Sequence, residues 1–127
     1  MNIFLSGMKA FGITALFLFA LLSNGLTQES INQTDEKGRK SGVWTKSFEN
    51  GQERYRGQFK EDKPIGTFFY YYEDGVKSSE VAYEGEDGVV SNAKFFHKNT
   101  TVMGEGKYIN QKKVGVWKYY DDQTILS

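Results

Sequence analysis

The run Gly57-Gln-Phe-Lys-Glu-Asp-Lys-Pro-Ile-Gly66-Thr-Phe68 returns at the same spacing as Gly106-Lys-Tyr-Ile-Asn-Gln-Lys-Lys-Val-Gly115-Val-Trp117, an offset of 49 residues. A partial third copy, Glu36-Lys-Gly-Arg-Lys-Ser-Gly42-Val-Trp44, places Gly42 and Trp44 24 residues before Gly66 and Phe68. Self-similarity at a short fixed period is the mark of stacked supersecondary units. The unit here is about 24 residues.

Each unit has two limbs. The first alternates in Gly42-Val-Trp44-Thr-Lys46-Ser-Phe48 and in Gly66-Thr-Phe68-Phe-Tyr70-Tyr-Tyr72, and closes on Glu49-Asn50-Gly51 or Glu73-Asp74-Gly75. Asn-Gly and Asp-Gly between alternating runs signal β-hairpins, because both residues tolerate the positive φ that such turns need. The return limb puts Tyr55, Gly57 and Phe59 on one face and Arg54, Arg56, Gln58 and Lys60 on the other. In later units Val81 and Tyr83, then Val102, Gly104, Gly106 and Tyr108, take the inward part. Gly-x-aromatic recurs at Gly42/Trp44, Gly57/Phe59, Gly66/Phe68, Gly106/Tyr108 and Gly115/Trp117. A missing side chain beside a large flat one leaves room for a ring to lie across the backbone. The segment Lys60–Ile65 reads as a connection, since it holds the single Pro, a poor strand residue.

The middle unit breaks the pattern. After Tyr83 comes the acidic insertion Glu84-Gly-Glu-Asp-Gly88, read as a longer hairpin loop, and the Gly-x-aromatic expected near positions 90 to 92 is replaced by Asn92-Ala93-Lys94-Phe95. Phe96 is expected to stand in for Phe48, with Lys98-Asn99-Thr100 as the turn. Trp117 to Ser127 supplies the first limb of a further unit, about three and a half in all.

Composition supports an all-β reading: 16% aromatic residues, 14 Gly, one Pro and no Cys. Sixteen basic and sixteen acidic residues are interleaved, leaving no basic stripe for nucleic acid. Without Cys there are no disulfides, zinc–thiolate sites or thiol catalysis. Residues 1–27 read as a signal peptide: Lys9 precedes the uncharged run Ala10–Leu22, followed by small polar residues, with cleavage after Gly25 or Thr27. An uncleaved anchor is the alternative, although about 20 apolar residues are the usual span. The expectation is export to the periplasm, the outer membrane or the medium, with membrane contact only through an uncleaved leader. Residues 28–41 read as a polar linker and first turn, and 42–127 as the repeat domain.

These motifs together (Gly-x-Trp/Phe, a Tyr or Phe pair, an Asp/Asn-Gly turn, a Gly-x-Phe/Tyr return and a Lys-rich connector) resemble the MORN-repeat variant proteins, including exported bacterial forms and YwqK-type antitoxins. The resemblance covers about Asn32 to Leu126. It implies stacked antiparallel hairpins in a single elongated, twisted sheet, preceded here by the leader helix, and a role in protein or membrane association.

No catalytic constellation is legible. His97, the one histidine, has no Ser/Asp partners by spacing and reads as a turn residue, while Glu84, Glu86 and Asp87 lack the spacing of a calcium loop. No phosphate-cradling loop is present, because the glycines follow the hairpin period. The expectation is a non-enzymatic module without metal or cofactor, antitoxin-like or a scaffold, engaging another protein or itself through an open edge strand. The alternative is a binder of glycan or cell-envelope polymer, with Trp44, Phe68, Tyr70 and Trp117 as a ladder of rings. Gly42, Gly51, Gly57, Gly66, Gly75, Gly106 and Gly115 are expected to be structural.

Overall fold

The computed structural model describes residues 29–122. The expected signal peptide or leader helix, residues 1–27, lies outside the described residues. Eight strands form one open antiparallel sheet in chain order: β1 (Gln33–Thr34), β2 (Lys40–Ser47), β3 (Glu53–Lys60), β4 (Lys63–Tyr71), β5 (Lys77–Glu84), β6 (Val90–Phe96), β7 (Val102–Ile109) and β8 (Lys112–Tyr119). The repeated-hairpin architecture read from the sequence is therefore present. The stretch 28–41 contributes more than a linker, since Gln33–Thr34 pairs with Lys40–Ser41.

Period-two alternation sorts the side chains as the pleat requires. Register aligns them in rows across the sheet: Tyr55, Tyr70, Ser79, Phe95, Gly104 and Tyr119 in one, Phe68, Val81, Ala93 and Gly106 in the next, and Tyr83, Ser91 and Tyr108 in a third. This aromatic face carries what core there is. Phe68 and Ala93 are its buried apolar residues, and Ser79 and Ser91 are buried beside them. The other face is mixed and charged, with Arg56, Glu80, Lys94, Glu105 and Lys107 along it.

At one end of the sheet, three five-residue connections are built alike. In each, an Asx side chain accepts a backbone N–H two residues on: Asn50 from Gln52 (3.0 Å), Asp74 from Val76 (3.0 Å) and Asn99 from Thr101 (3.1 Å). Each turn also reaches forward to the next stretch of chain at this end of the sheet. Asn50 Nδ2 donates to the Glu73 carbonyl at 2.9 Å, Asn99 Nδ2 to that of Asp122 at 2.7 Å, and the Tyr72 hydroxyl to that of Phe96 at 2.7 Å. The backbone bonds of the third turn, His97 N–H to Thr101 and Thr100 N–H to His97, match those of Phe48 and Tyr72 in the other two. It is thus His97, not Phe96, that occupies the place of Phe48. Thr100 takes the positive φ (73°) that Gly51 and Gly75 supply elsewhere.

At the opposite end, connections of five residues (35–39 and 85–89) alternate with two-residue turns (Glu61–Asp62 and Asn110–Gln111). The alternation doubles the period, which is why the copy at an offset of 49 is the clearest in the sequence. Both short turns have positive φ at both residues (52° and 67°, 49° and 64°), the pattern of a type I′ hairpin, whose twist matches that of the strands. The expected connection Lys60–Ile65 is accordingly a tight turn with Pro64 inside β4, opposite Phe59. The acidic loop leans on that corner: a Cβ on Gly88 would fall 2.9 Å from Pro64 Cδ, and Glu86 pairs with Lys60 at 2.7 Å.

Candidate functional site

The Gly-x-aromatic motif works through a break in register. Between Arg56↔Phe69 and Gln58↔Ile65, the single residue Gly57 faces the three residues Gly66, Thr67 and Phe68. Between Glu105↔Lys118 and Lys107↔Val114, Gly106 faces Gly115, Val116 and Trp117 in the same way. Gly66 and Gly115 open these bulges at φ 65° and 66°, where a side chain is strained. The following ring then folds flat over the opposing glycine: a Cβ on Gly57 would lie 2.3 Å from Phe68 Cδ2, and one on Gly106 2.3 Å from Trp117 Cδ2.

Two aromatic clusters follow from the two bulges. In the first, Phe68 is 3% exposed, with ring centres of Phe59 at 5.2 Å, Tyr83 at 5.6 Å, Tyr70 at 6.4 Å and Tyr55 at 6.5 Å, and Trp44 joins through Phe59 at 6.2 Å. In the second, Trp117 meets Tyr108 at 5.0 Å, Phe95 at 6.3 Å and Tyr119 at 6.4 Å. Lys40 lies 4.8 Å over Trp44, and Lys113, the equivalent residue, 4.6 Å over Trp117. Each indole N–H donates to a neighbouring carbonyl, Trp44 to Gln33 at 3.0 Å and Trp117 to Lys107 at 3.2 Å. The indoles are thereby fixed.

The four aromatics expected as a ladder are thus divided by role. Phe68 is core and has no free face, Trp44 and Tyr70 are half-buried in its cluster, and Trp117 centres the second cluster. Between the clusters an open trough of about 420 Å³ runs along β5 and β6. Burial holds the phenols of Tyr70 and Tyr83 above the ordinary tyrosine value, so both stay neutral beside it. Tyr83, Phe95, Tyr108, Ser79 and Ser91, none of them a candidate by motif, also line the trough. The missing motif near Asn92 was the signal.

On the outer edge, β8 is hydrogen-bonded to β7 alone among the described residues. Val116 is 83% exposed, Tyr119 66% and Tyr120 44%. The acidic residues after Tyr83 do not converge: Glu84 accepts from Asn92 (2.9 Å) and pairs with Lys107 (3.3 Å), Glu86 pairs with Lys60, and Asp87 accepts the Val89 N–H (3.0 Å). His97 Nε2 lies 3.0 Å from the Tyr120 carbonyl and links the third turn to the chain after β8.

No protein-family profile, curated protein or solved structure matches this chain.

Proposed function

We propose that the protein is a non-enzymatic repeat module that associates with a protein partner, or with itself, by strand addition at the outer edge of β8. The supporting observation is internal to the fold. β4 and β8 occupy equivalent places 49 residues apart, and β4 is covered by β5, with Thr67 opposite Ala82, Phe68 opposite Val81 and Tyr70 opposite Ser79. The equivalents Val116, Trp117 and Tyr119 have no such neighbour among the described residues, and Val116 and Tyr119 stand in solvent. An incoming strand would find on β8 the surface that β5 finds on β4. The other edge differs: β1 is two residues long, a common way to blunt an edge. Lys112 and Lys113 guard the start of β8, but Val114 to Tyr120 carries a single charge, Lys118.

Export and kinship with the MORN-repeat variants belong to the same proposal and rest on the leader and the repeat motif. An antitoxin-like or scaffolding role would use this edge. The test is light scattering on the purified protein across a range of concentrations, alone and with a synthetic peptide of the β5 sequence. Association in either form, abolished by Val116→Lys with the β-type circular dichroism unchanged, is the expected result. A monomer at every concentration that also ignores the peptide would overturn the reading.

A further inference from the structure

The positions that carry the motif in successive units are Trp44, Phe68, Ala93 and Trp117, preceded two residues earlier by Gly42, Gly66, Ser91 and Gly115. The third unit has lost both parts. Without the glycine there is no bulge: β5 and β6 pair in unbroken register from Ser79↔Phe95 to Glu84↔Val90, unlike every other pair from β2 onward. Without the ring there is a gap, flanked by Tyr70 and Tyr83 of the first cluster and by Phe95 and Tyr108 of the second.

Two serines open into that gap. Ser79 is 6% exposed and Ser91 4%, and neither hydroxyl has a hydrogen-bond partner among the described residues. Neither hydroxyl is sealed off, since no wholly buried polar side-chain atom lacks a partner. Open to the trough, each hydroxyl offers a donor and an acceptor, so the trough is suited to an occupant that brings hydrogen-bonding groups of its own. No charged side chain lines it. An anion would find no counter-charge and a metal ion no carboxylate, while an acyl chain would leave both serines unpaired. Ser79 and Ser91 stand four residues apart along paired strands, roughly 13 Å at the usual rise. That span exceeds one sugar ring. The volume, about 420 Å³, falls within the range of small-ligand sites.

We infer that this trough binds a neutral oligosaccharide of at least two linked pyranose rings, stacked against the tyrosine walls and hydrogen-bonded to Ser79 and Ser91. The apolar face of a pyranose suits an aromatic wall, and its ring of hydroxyls suits a floor of paired donors and acceptors. The site lies on a face of the sheet and does not use the β8 edge, so the two proposals stand or fall separately.

The test is calorimetric titration of the full chain with cellohexaose, maltohexaose and N-acetylchitohexaose, with hexagalacturonate as an anionic comparison. At least one neutral hexasaccharide is expected to bind. Ser79→Ala and Ser91→Ala should each weaken it about tenfold or more, the equivalent of a lost hydrogen bond. Both variants should be as stable to urea as the parent, because no intramolecular bond is removed. Ala93→Phe, which restores the missing ring, should abolish binding, and Val116→Lys should leave it unchanged. Failure of all three neutral sugars at millimolar concentration, tighter binding of hexagalacturonate, or binding indifferent to both serine substitutions would each overturn the inference.

Discussion

Gly57→Ala should be among the most damaging single-methyl substitutions in this chain, and its cost should vanish when Phe68 is shortened. The added Cβ would lie 2.3 Å from Cδ2 and Cε2 of Phe68 and 2.5 Å from Cγ. Carbon atoms rest about 3.5–4.0 Å apart, so the ring must retreat by more than about 1 Å. It is hemmed in by Phe59 and Tyr83 and is almost wholly buried. Overpacking of this kind costs about 1–3 kcal/mol, and full expulsion of a phenylalanine about 3–5 kcal/mol. Replacing a strand glycine by alanine returns about 0.5–1 kcal/mol. The net expectation is a loss of about 0.5–4 kcal/mol, the larger the further the ring is displaced. Gly66→Ala meets nothing within 4 Å and suffers only its φ of 65°, a loss of about 1–2 kcal/mol. In the Phe68→Ala background the obstacle is gone, and Gly57→Ala should change sign, stabilising by about 0.5–1 kcal/mol. Urea unfolding followed by tryptophan fluorescence and circular dichroism measures each corner of the cycle. If Phe68→Ala fails to fold, Gly106 and Trp117 offer the same geometry with a half-buried ring on an edge strand, whose outward displacement gives up less burial together with the hydrogen bond to Lys107. An equal cost for the glycine substitution in both backgrounds would refute the reasoning.

Thr100→Gly should stabilise the fold by about 1 kcal/mol, since a β-branched residue is held at φ 73° where the sister turns have glycine; the urea midpoint checks it. His97→Phe, which restores the aromatic of the first turn, removes the contact with the Tyr120 carbonyl. It should cost about 0.5–1.5 kcal/mol at most and show as faster amide exchange at Tyr120, whose N–H donates to Met103. Asp35 and Asp74 are held below 3.8, chiefly by the backbone N–H groups of Arg39 and Val76, and Glu84 below 4.5, chiefly by the Asn92 amide. The unfolded chain therefore takes up these protons first on acidification. Their contribution is whole above pH 4.5 and is lost as pH falls through the folded values, so the urea midpoint should drop below that pH and drop less in Asp35→Asn and Asp74→Asn.

Much of the fold was legible because hairpins are local: the alternation around Tyr55, Gly57 and Phe59 and the Asn50-Gly51 and Asp74-Gly75 turns state strand, face and direction within a few residues. What was missed has a common origin. The turns at Glu61-Asp62 and Asn110-Gln111 carry none of the usual glycine, so their positive φ values are imposed by the pairing on either side. Pro64 sits in a strand although its type argues against it, and His97 rather than Phe96 heads its turn because the hydrogen bonds of the turn decide the register. The site was harder to read. Ser79 and Ser91 are unremarked residues in sequence and gain meaning only when register sets them between two clusters whose central rings, Phe68 and Trp117, lie 49 residues apart in the chain.

Among the described residues every strand is hydrogen-bonded only to those next to it in the chain, through connections of two or five residues. Most all-β proteins fold slowly because distant segments must meet before any pairing is rewarded. Here no pairing waits on a distant one, and each closure brings together a short loop at small entropic cost. The chain should zip from whichever hairpin forms first, at a rate closer to that of helical bundles than of β-sandwiches, and open from its outer strands while the Phe68 cluster still holds.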